Sequence, residues 1–356
     1  MPPALAFGKR LNDTMHHEPI TPLAPRWLHW LAVATALFTL PLLFLGAGVT
    51  SHGVGMVDPR GFRPPWEIVS GLIENSGFDF RLEYGHRTFG FLVGICAILL
   101  AIGCWFFDRR SWMGWLSLLA LVLICVQGAL GIFRVDYNAL HGRTFATIHG
   151  VFAQIVFAVL ASLALFTSRR WTEQESSTDA PDGAFADLSQ HQPAPDGARF
   201  ARPERGLQVW SIITVLVVFA QVVLGGLVRH QESVIGPRGH LFGAFLATGA
   251  ILWLFKLIRD SVARDEFHWP RIGLKIFLTV QVLLGIESWL AKFYVPQADL
   301  PQLAPAPLHG EWLRTLHYVV GALLFSTTVL TALIAHRASV FATAPAPAQG
   351  KLEGAL

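Results

Sequence analysis

The chain has 356 residues, of which 53% are hydrophobic and only 14% are charged, and its mean hydropathy is +0.48. These values exclude an ordinary soluble domain and are typical of a protein that crosses a membrane several times. The net charge of +3 is too small to indicate nucleic-acid binding.

Eight apolar stretches of about 20 residues, the length that crosses a bilayer, follow one another along the chain. They are Trp27–Val49, Phe89–Phe107, Trp112–Phe133, Phe145–Phe166, Val209–Val228, Leu241–Ile258, Ile272–Leu290 and Leu316–Ile334. The predicted fold is an all-α membrane protein with eight transmembrane helices.

A segment rich in Glu, Asp, Ser, Gln, Pro and Gly separates the fourth stretch from the fifth, and its composition is unable to bury a core. We therefore expect two four-helix bundles joined by a linker. The predicted divisions are a cytoplasmic tail over 1–26, the first bundle over 27–167, a cytoplasmic linker over 168–206, the second bundle over 207–337 and a disordered tail over 338–356. Lys and Arg are concentrated in the loops predicted to lie on the same side of the membrane as the N-terminus. The positive-inside rule therefore predicts that both termini are cytoplasmic.

The two predicted bundles repeat short sequence motifs. Gln127-Gly-Ala-Leu-Gly131 corresponds to Gln281-Val-Leu-Leu-Gly285, and Leu45-Gly-Ala-Gly-Val49 resembles Leu224-Gly-Gly-Leu-Val228. Because each half has an even number of helices, the copies share one orientation, as in a parallel repeat. The glycines of these motifs fit either close helix packing or a cavity for a flat macrocycle.

Four histidines, His86, His149, His240 and His317, fall in the first turns of the second, fourth, sixth and eighth predicted spans, all on the outer side. A histidine inside a membrane is costly without a partner and usually marks a functional site. Imidazoles on facing helices could both reach a central iron. We expect His86 to pair with His149 and His240 with His317, each pair holding a heme iron.

The halves differ beside the first histidine. Glu83 and Arg87 share a helix face with His86, whereas the second half has proline and leucine at the equivalent positions 237 and 241. Glu83 is a candidate proton acceptor or charge stabiliser, and Arg87 is a candidate partner for Glu83 or for a heme propionate. The alternative is a simple interfacial Glu–Arg pair.

The Glu83-x-x-His86-Arg87 motif, the other three histidines and the two four-helix repeats together resemble the heme A synthase family over nearly the whole chain. The resemblance implies oxidation of the C8 methyl of heme O to the formyl group of heme A. It implies that His240 and His317 bind a heme b cofactor, that His86 and His149 receive the substrate heme, and that Glu83 is essential to the chemistry.

The same resemblance implies a multi-pass protein of the bacterial cell membrane and an electron acceptor or donor. Heme O synthase, cytochrome c oxidase assembly factors and a second copy of the chain are the partners it suggests. Many bacterial members carry a cysteine pair in the first outer loop, whereas Thr50–Arg81 contains none, so a thiol relay is excluded and the electron route stays open.

Three alternatives remain at this point: a di-heme cytochrome that only transfers electrons, a heme-delivery or assembly protein without catalysis, and a transporter whose histidines bridge helices. Four further histidines, His52, His141, His230 and His309, lie in or beside the predicted outer loops, where we expect solvated or interfacial roles.

Overall fold

A computed structural model of the chain describes residues 23–74, 77–172, 204–231, 234–293 and 308–340. Within these ranges the long elements are all helices. They are α1 (Arg26–Ser51), α2 (Pro65–Glu74), α3 (Phe78–Phe107), α4 (Ser111–Asp136), α5 (Asn138–Phe166), α6 (Arg205–His230), α7 (Ile235–Asp260), α8 (His268–Phe293) and α9 (Leu308–Val340). A single 3-10 turn, Arg264–Phe267, precedes α8.

Eight helices of the described part are long and apolar enough to span a membrane, namely all of the above except α2. This confirms the all-α class and the eight predicted transmembrane helices. The additional helix α2 lies in the loop after α1; it begins at a proline, which is favourable at the first helical position, and it buries Ile68. The expected tails and most of the expected linker, residues 1–22, 173–203 and 341–356, lie outside the described residues.

Four helices begin earlier in the chain than the apolar stretches predict. The helices that carry His86, His149, His240 and His317 begin at Phe78, Asn138, Ile235 and Leu308, so each histidine lies five to eleven residues inside its helix rather than in its first turn. The apolar pattern missed these turns because charged and polar residues extend the helices beyond the hydrophobic stretch. Since a helix dipole acts mainly within the first turn, it contributes little at these histidines.

The same order of contacts occurs in the two halves. In the first half α1 packs on α3 and α5, and α4 packs on both α3 and α5; in the second half α6 packs on α7 and α9, while α8 contacts α7 and α9. The halves meet through α1 and α5 on one side and α6 and α9 on the other. A parallel repeat of two bundles remains our prediction for this arrangement.

Burial separates central helices from peripheral ones. In an apolar 18-residue stretch of each helix, 50% of the residues of α9 and 44% of those of α5 are buried inside the protein, compared with 11% for α4 and 6% for α8. An apolar cluster of Leu43, Phe157 and Ala322 joins α1, α5 and α9 between the halves. The peripheral helices therefore present their apolar side chains outward, as a lipid environment requires, and the histidine ends of α5 and α9 lie near the junction of the halves.

Candidate functional site

The structure brings the four histidines together in the two expected pairs. The ring centres of His86 and His149 are 6.4 Å apart with an interplanar angle of 80°, and those of His240 and His317 are 6.1 Å apart at 83°. Two nitrogen–metal bonds of ~2 Å place two ligating nitrogens ~4 Å apart, and each ring centre lies about one bond length further out. Both spacings therefore fit an iron held between two imidazoles.

Each imidazole lies against a glycine of the repeated motifs. A Cβ atom built on Gly46 would lie 2.6 Å from Cε1 of His86, and one on Gly225 would lie 3.1 Å from Cε1 of His240. The corresponding distance is 3.2 Å for Gly131 with His149 and for Gly285 with His317. These four glycines are therefore explained by the close approach of an imidazole on the neighbouring helix, which sequence reasoning could not separate from ordinary helix packing.

In the first pair, a hydrogen bond orients His86. Its Nδ1 donates to the carbonyl oxygen of Leu42 (3.0 Å), so in the neutral ring the lone pair lies on Nε2. The side-chain amide of Gln127 lies beside His149, with Nε2 of the glutamine 3.2 Å from Nδ1 and 3.3 Å from Nε2 of the ring. His86 thus has the orientation that a metal ligand requires, with Nδ1 anchored and Nε2 available.

The second pair is held by two glutamine amides. Gln221 donates to the backbone carbonyl of His240 (2.8 Å), and Nε2 of Gln281 lies 3.2 Å from Nε2 of His317. The Nδ1 atoms of His240 and His317 are buried and have no hydrogen-bond partner among the described residues, as is also true of the Oε1 atoms of both glutamines. Because the Gln281 amide occupies the nitrogen that iron would bind, it has to rotate when His317 becomes a ligand.

Two histidines per site suit heme better than a bare metal ion. Within the described ranges no three His, Cys, Asp or Glu side chains come together as a metal site. A bare zinc or iron site usually takes three or four protein ligands, whereas a heme iron already has four equatorial nitrogens and needs only the axial pair. The cysteines that the structure describes, Cys96, Cys104 and Cys125, are free thiols.

Glu83 and Arg87 form a buried ion pair one turn apart on α3. The carboxylate of Glu83 accepts from Nη2 of Arg87 at 2.6 Å, and only 4% and 13% of the two side chains are exposed. The other carboxylate oxygen of Glu83 accepts from the backbone amides of Val57 (3.0 Å) and Asp58 (3.3 Å). The acid therefore clamps the loop after α1 onto the helix that carries His86.

The rest of Arg87 and a second buried acid complete this clamp. Nη1 of Arg87 donates to the carbonyl of Arg60 (3.0 Å), and Asp58 accepts from Nε of Arg63 (2.5 Å) and from the hydroxyl of Tyr84 (2.8 Å). The guanidinium of Arg87 is thus occupied by the loop and by Glu83. Its predicted role as ion-pair partner fits this geometry, whereas its alternative role at a heme propionate does not.

A cavity opens beside the first histidine pair, at the junction of the two halves. It is lined by His86 and His149 together with four residues that sequence reasoning had not assigned to this site: Arg134, Arg229, His230 and Tyr318. Of these, Arg229, His230 and Tyr318 belong to the second half. Glu83 and Arg87 are absent from the lining that the described residues provide.

The side chains of three of the four further histidines lie in the described part, each in a different environment. The side chain of His52 is 7% exposed and lies 2.8 Å from the carboxylate of Glu311, so it is paired rather than solvated, and an interfacial role stays a prediction. His141 lies at a kink inside α5, and His230 lines the cavity next to Gly150. The side chain of His309 lies outside the described residues.

Comparisons with known proteins find similarity to one protein family and to several heme A synthases. The family COX15-CtaA, described as cytochrome oxidase assembly protein, matches residues 71–236. Heme A synthases of Bacillus mycoides (strain KBAB4) and Bacillus cereus (strain AH187) are each 24% identical over 288 residues, which is 73% of this chain and 83% of theirs. The enzyme of Bacillus anthracis (strain CDC 684 / NRRL 3495) is 23% identical over the same span. No solved structure gives a significant match.

Proposed function

We propose that this chain, which is similar to heme A synthases, is a membrane oxidoreductase that converts heme O into heme A. The observation that carries the proposal is the duplicated histidine geometry, with ring centres 6.4 and 6.1 Å apart, together with the buried acid Glu83 on the helix of His86 and the cavity beside the first pair. The reaction oxidises the C8 methyl of heme O to a formyl group through successive hydroxylations and loss of water.

In this proposal the first half binds the substrate and the second half binds a cofactor. His86 and His149 hold the iron of heme O, and His240 and His317 hold heme b, which supplies a one-electron redox centre when bound. Anchoring of His86 by Leu42 keeps the substrate iron at a fixed position.

Glu83 is proposed to stabilise positive charge, or to accept a proton, as the methyl group is oxidised. It is buried three residues from His86 and on the same helix face. Its present contacts with Val57, Asp58 and Arg87 hold the outer loop on α3. Proton transfer through Glu83 therefore requires the loop or the carboxylate to move.

A di-heme cytochrome is the second candidate, and the near equality of the two ring-pair geometries favours it. It predicts that both sites retain heme and that Glu83 affects only the loop. Co-expression with a heme O source in a host that lacks heme A separates the two functions. Extraction and chromatography of the hemes should reveal heme A, whereas a cytochrome or a delivery protein would leave only heme O and heme B.

Glu83→Gln tests the proposed role of the acid in the same host. The amide keeps the size and one acceptor oxygen but loses the charge, so we expect heme O to bind and heme A formation to fall by ~100-fold or more, as for loss of general acid–base catalysis. Glu67→Gln is the matched control, since Glu67 also pairs with an arginine, Arg63, but lies at the exposed loop helix α2. Unchanged heme A formation in Glu83→Gln would remove the catalytic role.

A further inference from the structure

Two arginines flank the cavity beside the first histidine pair. Arg134 lies in the last turn of α4 and Arg229 in the last turn of α6, and both line the cavity with His86 and His149. The internal repeat does not account for them. Aligning Gly131 with Gly285 places Arg134 opposite Ser288, and aligning Gly46 with Gly225 places Arg229 opposite Thr50.

Arg229 reaches from the second half into the first. Its guanidinium donates to the carbonyl oxygen of Ala47 and to the hydroxyl of Ser51 (2.8 Å), both at the end of α1. It also donates to the carbonyl of Arg314 (3.4 Å) and lies over the ring of Tyr318, with Cζ 5.3 Å from the ring centre. All of these partners are neutral, so no carboxylate of the described residues forms an ion pair with this cation.

The guanidinium of Arg134 forms fewer polar contacts than that of Arg229. In the described part of the chain its guanidinium forms neither a hydrogen bond nor an ion pair, and Nη2 lies 3.0 Å from the position of a Cβ atom built on Gly55. The negative ends of α4 and α6 compensate these two half-buried cations only partly. Charged groups removed from water are costly without a counter-ion. The charge at the cavity therefore favours binding of an anion.

A heme carries two propionate carboxylates, and planar guanidinium groups bind carboxylates through paired hydrogen bonds. Arg87 is unavailable for this purpose because Glu83 and the loop carbonyls occupy it. We propose that Arg134 and Arg229 bind the propionates of the heme that His86 and His149 ligate. The inference rests on the proposed substrate site, and it means that the second half completes the binding site of the first.

Binding of a probe heme tests this assignment without relying on turnover. The probes are ferric protoporphyrin IX and its dimethyl ester, titrated in detergent into the full-length protein that retains the heme of its second half. The change in the Soret band gives a dissociation constant for each probe. We expect the free acid to bind at least tenfold more tightly than the ester, because a hydrogen bond to a charged group is lost in the ester.

The variants Arg134→Gln and Arg229→Gln should each weaken binding of the free acid by about tenfold and leave binding of the ester unchanged. Arg134→Lys and Arg229→Lys, which keep the charge, should recover part of the loss. Arg143→Gln is the control, since this exposed arginine lies on α5 near the same end of the molecule but does not line the cavity. The retained second-half heme band reports that each variant is folded.

The outcomes separate the two proposals. Equal preference for acid over ester in wild type and in both Gln variants would overturn the propionate site while leaving the substrate site intact. A His86→Ala variant that binds both probes as tightly as wild type would overturn the substrate site itself, and with it the proposed function. Loss of acid binding confined to the arginine variants, with His86-dependent binding of the ester, supports both.

Discussion

The two histidine pairs have nearly the same ring geometry and very different surroundings. In the first pair His86 is anchored by a backbone carbonyl, whereas in the second pair Nδ1 of His240 and Nδ1 of His317 are buried and have no partner in the part of the chain that the structure describes. The first pair has a buried acid, Glu83, which lies three residues before His86 on the same helix and pairs with Arg87. Proline and leucine take the places of this acid and of its arginine in the second half.

This comparison indicates how a duplicated scaffold acquires two tasks. The glycine positions and the helix order set the distance between the imidazoles, and they are common to both halves. The polar groups around the rings differ, and in low dielectric such groups decide whether a site only holds a cofactor or also stabilises changing charge. A symmetric site is sufficient for binding, whereas catalysis requires the asymmetric groups.

The largest expected effect comes from removing the ligands one pair at a time. We expect His240→Ala or His317→Ala to abolish the heme b retained through purification, because the iron loses an axial ligand and gains a void beside it. His86→Ala or His149→Ala should retain that heme and abolish heme A formation. Absorption spectra and extracted hemes measure both effects. Equal loss of the retained heme from both sets of variants would contradict the division of tasks.

Replacing Arg87 by leucine, the residue at the equivalent position of the second half, should destabilise the protein. Arg87→Leu leaves the buried carboxylate of Glu83 without its counter-ion, and breaking such a pair costs about 3–5 kcal/mol. The double variant Glu83→Gln/Arg87→Leu removes the uncompensated charge and should recover most of this loss. Unfolding of the detergent-solubilised protein by heat or denaturant measures the difference.

Arg60→Leu is the control for that cycle. Arg60 lies in the clamped loop, and 60% of its side chain is exposed, so its contacts with Asp58 and Glu67 should contribute at most about 1 kcal/mol. If Arg87→Leu were no more destabilising than Arg60→Leu, the Glu83–Arg87 pair would be an ordinary surface contact.

Glycine substitutions probe the one place where the shared scaffold is tighter in the first half. A methyl group at position 46 would meet Cε1 of His86 at 2.6 Å, whereas one at position 225 would meet Cε1 of His240 at 3.1 Å. Gly46→Ala should therefore displace its imidazole and reduce heme A formation by about tenfold or more, as small misplacements at an active site do. Gly225→Ala should reduce the retained heme b only slightly.

Gly128→Ala is a suitable control because no atom lies within 4 Å of a Cβ atom at that position of α4. Heme A formation and the amount of retained heme b should both remain at the wild-type level in Gly128→Ala. A reduction in Gly225→Ala as large as that in Gly46→Ala would indicate that the two pockets are equally tight.

Much of the fold and the pairing of the four histidines could be predicted from the sequence. Hydropathy gave the eight spans because a bilayer demands long apolar helices, and the repeated motifs predicted the histidine partners. The starts of α3, α5, α7 and α9 could not be predicted in this way, since residues such as Glu83 and Arg87 extend α3 past its apolar stretch and pair with a loop. The hydropathy pattern predicts which residues cross the membrane, but it does not predict where a helix begins or ends.

The cavity residues show a different limit. Arg229 and Tyr318 reach the first histidine pair only because α6 and α9 pack against α1 and α5, a contact that a search within each half does not predict. A signal for Arg134 and Arg229 was nevertheless present, because the repeat alignment places serine and threonine opposite them. Departures from an internal repeat are thus as informative about function as its agreements.

The smallest effect that we expect sharpens the comparison at the second pair. Nε2 of Gln281 lies 3.2 Å from Nε2 of His317, while its own Oε1 and Nδ1 of His317 lack partners. When iron takes Nε2, rotation of the amide would let Oε1 accept from Nδ1–H and so orient the ligand.

Gln281→Leu replaces this orienting amide by an apolar side chain of similar size. Affinity for heme b should then fall by about tenfold, the lower end of the range for lost outer-shell contacts. The measurement is the rate and extent of heme transfer from the variant to an apo-globin acceptor, with Gln208→Leu on α6 as the control. Tighter retention of heme in Gln281→Leu would instead mean that the amide only competes with iron for Nε2, and that the second pair binds its heme without an anchored Nδ1.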